Sequence, residues 1–219
     1  PLRDHILERL RRSERLFADE TTAPVLDPGR GRTKTGQLWA YARDDRPWGG
    51  EDPPMVAYVY AADRKGERAE AHLGDFAGIL QVDGFGGYAA LARRRQQVSL
   101  AFCWAHARRK FYELAKSSPV ATEVLRRIAM LYAIEDEVRG TSAEQRLAAR
   151  AERSRVIVND LHIYLEARLR QVSAKSKLAE AIRYALTRWV GLTLFLDDGR
   201  VELDSNTVER SIRPLALNR

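Results

Sequence analysis

The sequence predicts an α/β fold: a mixed five-stranded sheet with flanking helices, followed by a large all-helical region. Three observations predict it. Short runs rich in aromatic and β-branched residues recur through the first half of the 219 residues. Segments with a helical spacing of apolar residues separate the last three of these runs, which predicts helical crossovers and a parallel part of the sheet. From Ala105 to Gly191, only the helical period remains.

The first half of the chain alternates short apolar runs with turn residues. Met55–Ala61 has the valine and tyrosine content of a strand. Thr21–Gly36 contains two prolines and three glycines and is predicted to be mostly loop, with Val25 and Leu26 as the one stretch that could extend a strand. The predicted strands are Leu16–Asp19, Gln37–Arg43, Met55–Ala61, Ile79–Val82 and Val98–Phe102, and the predicted helices are Asp4–Glu14, Arg68–Phe76 and Gly87–Arg95.

The second half is predicted to be helical because its apolar residues recur at helical spacing. After a turn at Asp197–Gly199, Val201–Leu203 is predicted to be a short returning strand, and a last helix follows Asp204. Pro214 should end or kink that helix, since an interior proline costs about 3 kcal/mol. The other predicted helices of this half are Ala105–Lys116, Pro119–Val138, Ser142–Leu169 and Lys177–Val190.

The composition bounds the class of protein. Hydrophobic residues make up 45% of the chain, enough for a core, and the net charge of +7 favours a polyanionic partner. Cys103 is the one cysteine, so no intramolecular disulfide can form and a reducing compartment fits. No apolar run approaches the roughly 20 residues of a membrane span. We therefore expect a soluble intracellular protein without a membrane partner, and we interpret Pro1 and Arg219 as the ends of a fragment.

Three acidic residues suggest a metal site assembled by folding. Asp83 ends the apolar run Leu80–Val82 and is followed at once by glycine, which leaves room for a ligand or a tight turn. Asp19 ends another apolar run, and Glu209 lies near the start of the last helix. Carboxylates are the ligands that Mg²⁺ prefers. Two such ions about 3.5–4 Å apart can activate a nucleophile and stabilise the leaving oxygen when a phosphodiester is cleaved.

Each of these acids also has a simpler interpretation. A lone acid at a strand end is usually a solvated turn residue. Asp19 competes with Glu20, and only one of them should reach the metals because neighbouring side chains on a strand point to opposite faces; we favour Asp19. Glu209 competes with Asp204, which could cap the helix, and Glu209 could instead form a surface ion pair with Arg213 one turn later.

Five motifs extend these observations along the chain from Arg15 onward. They are Ala18–Thr21, Thr33–Trp39, Leu80–Tyr88, Cys103–Phe111 and Asp204–Pro214. Together and in this order, they make the sequence resemble the catalytic region of the insertion-sequence sixty-six family of DDE transposases. The resemblance implies a ribonuclease-H-like fold, whose plan of three strands, helix, strand, helix, strand and final helix matches the predicted order. It also implies Asp19, Asp83 and Glu209 as the catalytic, metal-binding triad for two Mg²⁺ or Mn²⁺ ions.

The same resemblance implies a domain organisation and an activity. Residues 1–15 would connect to an upstream region, 16–104 would form the first part of the catalytic domain, 105–200 a helical insertion, and 201–219 the truncated last catalytic helix. The enzyme would be a polynucleotidyl transferase that cuts the element end and joins its 3′-hydroxyl to target DNA. It would act in the bacterial cytoplasm, associated with the nucleoid when bound to DNA. Its partners would be further copies of itself on paired ends and accessory proteins of the same element.

Basic residues in or beside the motifs are candidates for DNA contact. Lys34 lies in the predicted loop, and Arg210 and Arg213 lie on the last helix. His106 could contact the scissile phosphate or the triad, although a structural histidine is equally consistent. The helix that carries His106 offers a basic surface for the DNA backbone, unless it is an ordinary solvated face. Its candidate residues are His106, Arg108, Arg109 and Lys110.

Two other functions stay open from the sequence. A non-catalytic DNA-binding or interaction module, left by a decayed transposase, would keep the scaffold without the activity. A hydrolytic ribonuclease-H-like nuclease would use the same acids without joining DNA. Assays of DNA cleavage and joining, rather than the sequence pattern, separate these alternatives from a transposase.

Overall fold

The computed structural model describes residues 2–217, and the chain divides into two units. We call the first the sheet unit; of the described residues it contains 2–45, 52–100 and 205–217. We call the second the helical unit; it contains residues 46–51 and 101–204. Within the described residues, no helix has the length and apolar character that a bilayer crossing needs.

Five strands form one mixed sheet in the order β3-β2-β1-β4-β5. The β1–β2 and β2–β3 pairs are antiparallel, whereas β1 and β4 are parallel. The predicted α/β fold with a five-stranded mixed sheet and flanking helices is therefore confirmed. The strands are β1 (Arg15–Asp27), β2 (Arg32–Arg43), β3 (Met55–Ala61), β4 (Gly78–Val82) and β5 (Val98–Phe102).

The helices are distributed between the two units in chain order. The sheet unit contains α1 (Leu2–Arg11), α2 (Gly66–Leu73) and α3 (Gly86–Arg94). The helical unit contains α4 (Trp104–Tyr112), α5 (Pro119–Val138), α6 (Ala143–Ala149), α7 (Arg155–Gln171), α8 (Lys177–Leu186) and α9 (Trp189–Thr193). The last helix, α10 (Asn206–Leu217), belongs again to the sheet unit.

Helices cover both faces of the sheet in the sheet unit. On one face, Val208 and Ile212 of α10 pack against Phe17 of β1 and against two alanines of β2. On the other face, Trp39 of β2 makes an edge contact with Tyr88 of α3. Burial of these apolar side chains from two helical layers is what holds the strands in place.

The prediction that Thr21–Gly36 is mostly loop is wrong. β1 and β2 run through it as paired strands, and only residues 28–31 form the turn. β4 pairs with β1 only from Arg15 to Phe17, so beyond Phe17 the side of β1 that faces away from β2 has no partner strand. Pro24 is tolerated there because a proline on an open edge removes no ladder hydrogen bond. Threonine and valine favour strand geometry here, so they outweigh the turn signals.

Two smaller expectations about the end of the chain need correction. Val201–Leu203 is buried but is not a strand, because its carbonyl groups serve other donors: Val201 accepts from Arg150 at 2.9 Å and Leu203 from the Trp104 N–H at 2.8 Å. Helix α10 does not end at Pro214 but continues to Leu217. Packing of its apolar face outweighs the proline penalty.

The helical unit contains a buried ionic network. Arg150 is fully buried and donates two hydrogen bonds to Glu135, at 2.7 and 2.6 Å. Arg146 is also buried and lies 2.9 Å from Glu135 and 2.6 Å from Glu202. Arg150 begins a π-helical turn, Arg150–Ser154, which joins α6 to α7 within the region predicted as one helix.

Candidate active site

Asp19 and Asp83 lie level with each other on neighbouring strands. The last parallel pair of β1 and β4 is Phe17–Gln81, and each acid stands two residues beyond it, Asp83 immediately after the end of β4. Neighbouring strands lie about 4.8 Å apart, so the two acids are close in space. Both are also on one face, because Arg15 lies over the Phe17 ring and donates to Gln81 Oε1 at 3.2 Å. Residues two further along each strand keep that orientation.

Glu209 reaches the same face from α10. Val208, its neighbour, is buried against Phe17. Phe17 lies two residues before Asp19 on β1, so the two side chains are on the same face of the sheet. The hydroxyl of Ser205 donates to Glu209 Oε1 at 2.9 Å and so orients the carboxylate. Ser205, not Asp204, is the residue before the helix, and its carbonyl accepts the first helical N–H groups.

Negative charge is concentrated around Asp19. Burial and then the neighbouring charge of Asp83 raise the pKa of Asp19 to about 7. Glu20 and Glu209 raise it further, while the hydrogen bond from the Glu20 N–H, 2.8 Å long, lowers it. Such a group of oxygens, partly desolvated and mutually repulsive, suits the binding of a hard cation. Asp19, Asp83 and Glu209 could together hold a divalent metal.

The glycines after Asp83 have structural tasks. Asp83 Oδ1 accepts a hydrogen bond from the Phe85 N–H at 2.9 Å, and Gly84 turns the chain with a φ of 109°. A Cβ at Gly87 would lie only 2.9 Å from the Cα of Gly66, so Gly87 permits α3 to begin directly against α2. The tight turn that the sequence predicts after Asp83 is therefore present.

Glu20 lies on the opposite face of β1 from Asp19. Its carboxylate is buried, accepts from Arg64 Nε at 2.7 Å and lies 3.3 Å from the Tyr88 hydroxyl, which donates to it. Burial raises the pKa of Glu20 and these hydrogen bonds lower it. Arg64 also stacks on the Phe85 ring, 4.4 Å from its centre. Arg64 therefore connects the end of the Asp19 segment to the loop that follows Asp83.

Three residues that bond to the acids of this site are not among the site residues predicted from the sequence. Arg64 gave no signal, because it lies in a polar turn between Asp63 and Lys65. Tyr88 lies in the motif Leu80–Tyr88 and in the predicted helix Gly87–Arg95, and its place after the glycines that follow Asp83 is a usable sign. Ser205 could have been found from its position four residues before Glu209, one helical turn away.

The structure divides the predicted DNA-contact residues between the two units. Lys34, Arg210 and Arg213 are exposed in the sheet unit, together with the three acids. The other four lie on α4 in the helical unit: His106 is half-buried, Arg108 lies over the Tyr112 ring, Arg109 is exposed, and Lys110 is 3.9 Å from Glu180. Arg108, Arg109 and Lys110 therefore remain candidates for DNA contact by the helical unit alone.

We expect Mn²⁺ affinity to depend on pH through Asp19. Its pKa in the folded protein, about 7, lies above the ordinary value of 3.8, so folding retains a proton that the unfolded chain has lost. Without metal, the stability that this proton contributes is present at low pH and is lost as the pH rises through about 7. A metal ligand must be deprotonated, so the affinity should fall about tenfold for each pH unit below 7.

Calorimetric titration with Mn²⁺ from about pH 6 to about pH 8 measures this dependence. Asp19→Asn is the matched control: its binding should be weaker and should lack the step near neutral pH. An affinity that stays constant for the unaltered protein across this range would contradict the expectation.

Comparison with known proteins identifies the family of this chain. The family model described as "Transposase IS66 family" matches residues 1–219. Among curated relatives from Sinorhizobium fredii, the uncharacterised protein y4qI is 52% identical over the whole of this chain, y4jD 49% and y4hP 41%. The chain covers 42%, 44% and 42% of those three proteins, so it spans less than half of their length. The chain belongs to the IS66 family of transposases.

Proposed function

We propose that this chain is the catalytic region of a DDE transposase that cleaves DNA at the ends of an insertion sequence and transfers the resulting strand to target DNA. One observation carries the proposal. Acids from β1, from the end of β4 and from α10 meet on one face of the sheet, in a chain of a transposase family.

The fold supports the ribonuclease-H-like part of the proposal. The first three strands are antiparallel neighbours, β4 joins β1 in parallel, and a final helix packs on the sheet. That arrangement fits the plan implied by the sequence. Residues 105–200 would then be an insertion within the catalytic domain, with residues 201–219 returning to it.

The three acids would hold two divalent ions, Mg²⁺ or Mn²⁺. When bound, such ions activate an attacking oxygen and stabilise the leaving one. Asp19 and Asp83 would provide the paired ligands, because they are level on adjacent strands. Glu209 would complete the site, oriented by the Ser205 hydroxyl. The position of Glu20 against Arg64 and Tyr88 supports Asp19 as the first acid and gives Glu20 a positioning role.

DNA would bind along the basic residues named above. In the sheet unit these are Lys34, Arg210 and Arg213, and on α4 they are His106, Arg108, Arg109 and Lys110. Sequence-independent contacts to phosphate would orient the strand, while the acids act at the scissile position. Assembly with further copies on paired ends, help from accessory proteins of the element, and action in the bacterial cytoplasm belong to the same proposal.

A cleavage and joining assay tests the proposed function. Full-length protein is incubated with Mg²⁺, a labelled DNA that carries the end of its own element, and a plasmid target. Transposase activity predicts both a 3′-hydroxyl cut at the end and joined products. Cleavage without joining would indicate a hydrolytic nuclease, and binding without either would indicate a non-catalytic remnant.

A further inference from the structure

The β1–β2 hairpin extends beyond the sheet as a two-stranded ribbon, which we define as residues Thr22–Gly36. The pairing of β3 with β2 ends at Gln37–Ala61, and the pairing of β4 with β1 ends at Phe17–Gln81. Past those points, β1 and β2 pair only with each other, down to Asp27–Arg32. The side chains of this ribbon are mostly exposed.

The base of the ribbon is fixed by an aromatic contact. At Gly36, a Cβ atom would lie 2.4 Å from a ring carbon of Tyr60, so the tyrosine ring lies directly on the glycine backbone. Tyr60 belongs to β3, the strand that ends where the ribbon begins. The ring covers the backbone at the glycine and braces the ribbon against the sheet.

One face of the ribbon is the face that carries Asp19. Residues directly opposite in an antiparallel pair share a face, and alternate residues along a strand return to it. Lys34 pairs with Val25 and Arg32 pairs with Asp27, which lie six and eight residues after Asp19. The register is unbroken over this length, so Lys34 and Arg32 are on the same face as the acid.

The charge on the ribbon is positive. Its three basic residues, Arg30, Arg32 and Lys34, stand against one acid, Asp27, which leaves a net charge of 3 − 1 = +2. Asp27 lies 3.7 Å from Arg30. Arg32 and Lys34 are exposed and form no ion pair with any other residue between positions 2 and 217. Two such cations on one face suit a polyanionic ligand.

We propose that this ribbon grips duplex DNA at a distance from the scissile phosphate, with Arg32 and Lys34 contacting backbone phosphates. The inference rests on the proposed function, which supplies the DNA. At about 3.3 Å per residue, Lys34 lies about 20 Å and Arg32 about 26 Å from Asp19 along the strand. At about 3.4 Å per base pair, this corresponds to about six to eight base pairs from the cut. A two-stranded ribbon also has the width that a major groove admits.

The double variant Arg32→Gln/Lys34→Gln tests the ribbon by DNA binding. The probe is a short fluorescein-labelled duplex of random sequence, and anisotropy gives the affinity across a series of salt concentrations. Each phosphate contact contributes about 0.9 to the slope of log affinity against log salt, so the slope should decrease by about 2. A slope equal to that of the unaltered protein would overturn the proposal.

Two control variants separate this effect from charge and from folding. Lys175→Gln/Lys177→Gln removes the same charge from exposed sites in the helical unit and should leave the slope nearly unchanged. Thr33→Ala/Thr35→Ala alters the opposite face of the ribbon and should also bind normally. An equal decrease in the lysine control would overturn the proposal, because bulk charge would then explain the result.

Interference by phosphate ethylation locates the contact. On a duplex that contains the cleavage position, ethylation about six to eight base pairs from the cut should weaken binding of the unaltered protein but not of the ribbon double variant. Interference by the same phosphates in both proteins would contradict the assignment. This test needs no catalysis, so a protein that fails to cleave DNA would refute the proposed function while the ribbon result stands separately.

Discussion

Replacement of Asp83 by asparagine is expected to lower the rate of DNA cleavage by about a thousandfold, equivalent to about 4 kcal/mol. The amide keeps an oxygen for the Phe85 N–H, so the turn after β4 should persist. It removes the charge that a divalent ion requires, and that ion is expected to provide several kcal/mol of transition-state stabilisation. Gel assays of end cleavage in the full-length protein, with Mg²⁺ present, measure the change.

The matched control for this variant is Asp75→Asn. Asp75 is an exposed carboxylate in the same unit, and its loss should leave the cleavage rate within about twofold, as for a surface substitution. Duplex binding should persist in both variants, because phosphate contacts rather than the triad supply most of the affinity. If Asp83→Asn retained Mg²⁺-dependent cleavage near the unaltered rate, Asp83 would not be a catalytic ligand.

Replacement of Arg150 by methionine is expected to give the largest loss of stability among single changes in the helical unit, about 3–5 kcal/mol. Arg150 is fully buried, and its guanidinium bonds Glu135 and also the carbonyls of Phe195 and Val201, at 2.8 and 2.9 Å. Methionine fills much of the volume but leaves the buried Glu135 carboxylate short of a partner. Urea unfolding measures the change in free energy.

Arg153→Met is the control within the same π-helical turn. Its guanidinium bonds Glu137 at 3.0 Å, but its side chain is 42% exposed and the pair is screened by solvent, so its loss should change the stability little. Equal losses in the two variants would show that the turn itself, and not the buried charge, sets the stability.

The sheet and the acidic pattern could be predicted because their signals are local. An apolar run that ends in Asp19 or Asp83 is visible in a few residues, and alternation along a strand separates Asp19 from Glu20 without any tertiary information. Glu209 could be placed on a helix but not on the sheet. Its position depends on Val208 and Ile212 meeting β1 and β2, which only the folded chain reveals.

The features that sequence reasoning missed depend on tertiary partners. The ribbon was predicted as a loop because prolines and glycines signal turns, whereas the open edge of β1 accepts Pro24 and the Tyr60 ring covers Gly36. The buried arginines of the helical unit have no local signature either, since an arginine on a helix is usually solvated. The association of residues 46–51 with that unit likewise follows from contacts far along the chain.

Diffraction from crystals soaked in Mn²⁺ tests most directly whether Asp19, Asp83 and Glu209 form one metal centre. Anomalous density for two ions, about 3.5–4 Å apart and bound by oxygens of these three side chains, is the expected result. The same crystals grown from the Asp83→Asn variant should lose that density. Manganese bound elsewhere, with none among these three carboxylates at a pH above about 7, would contradict the assignment of the site.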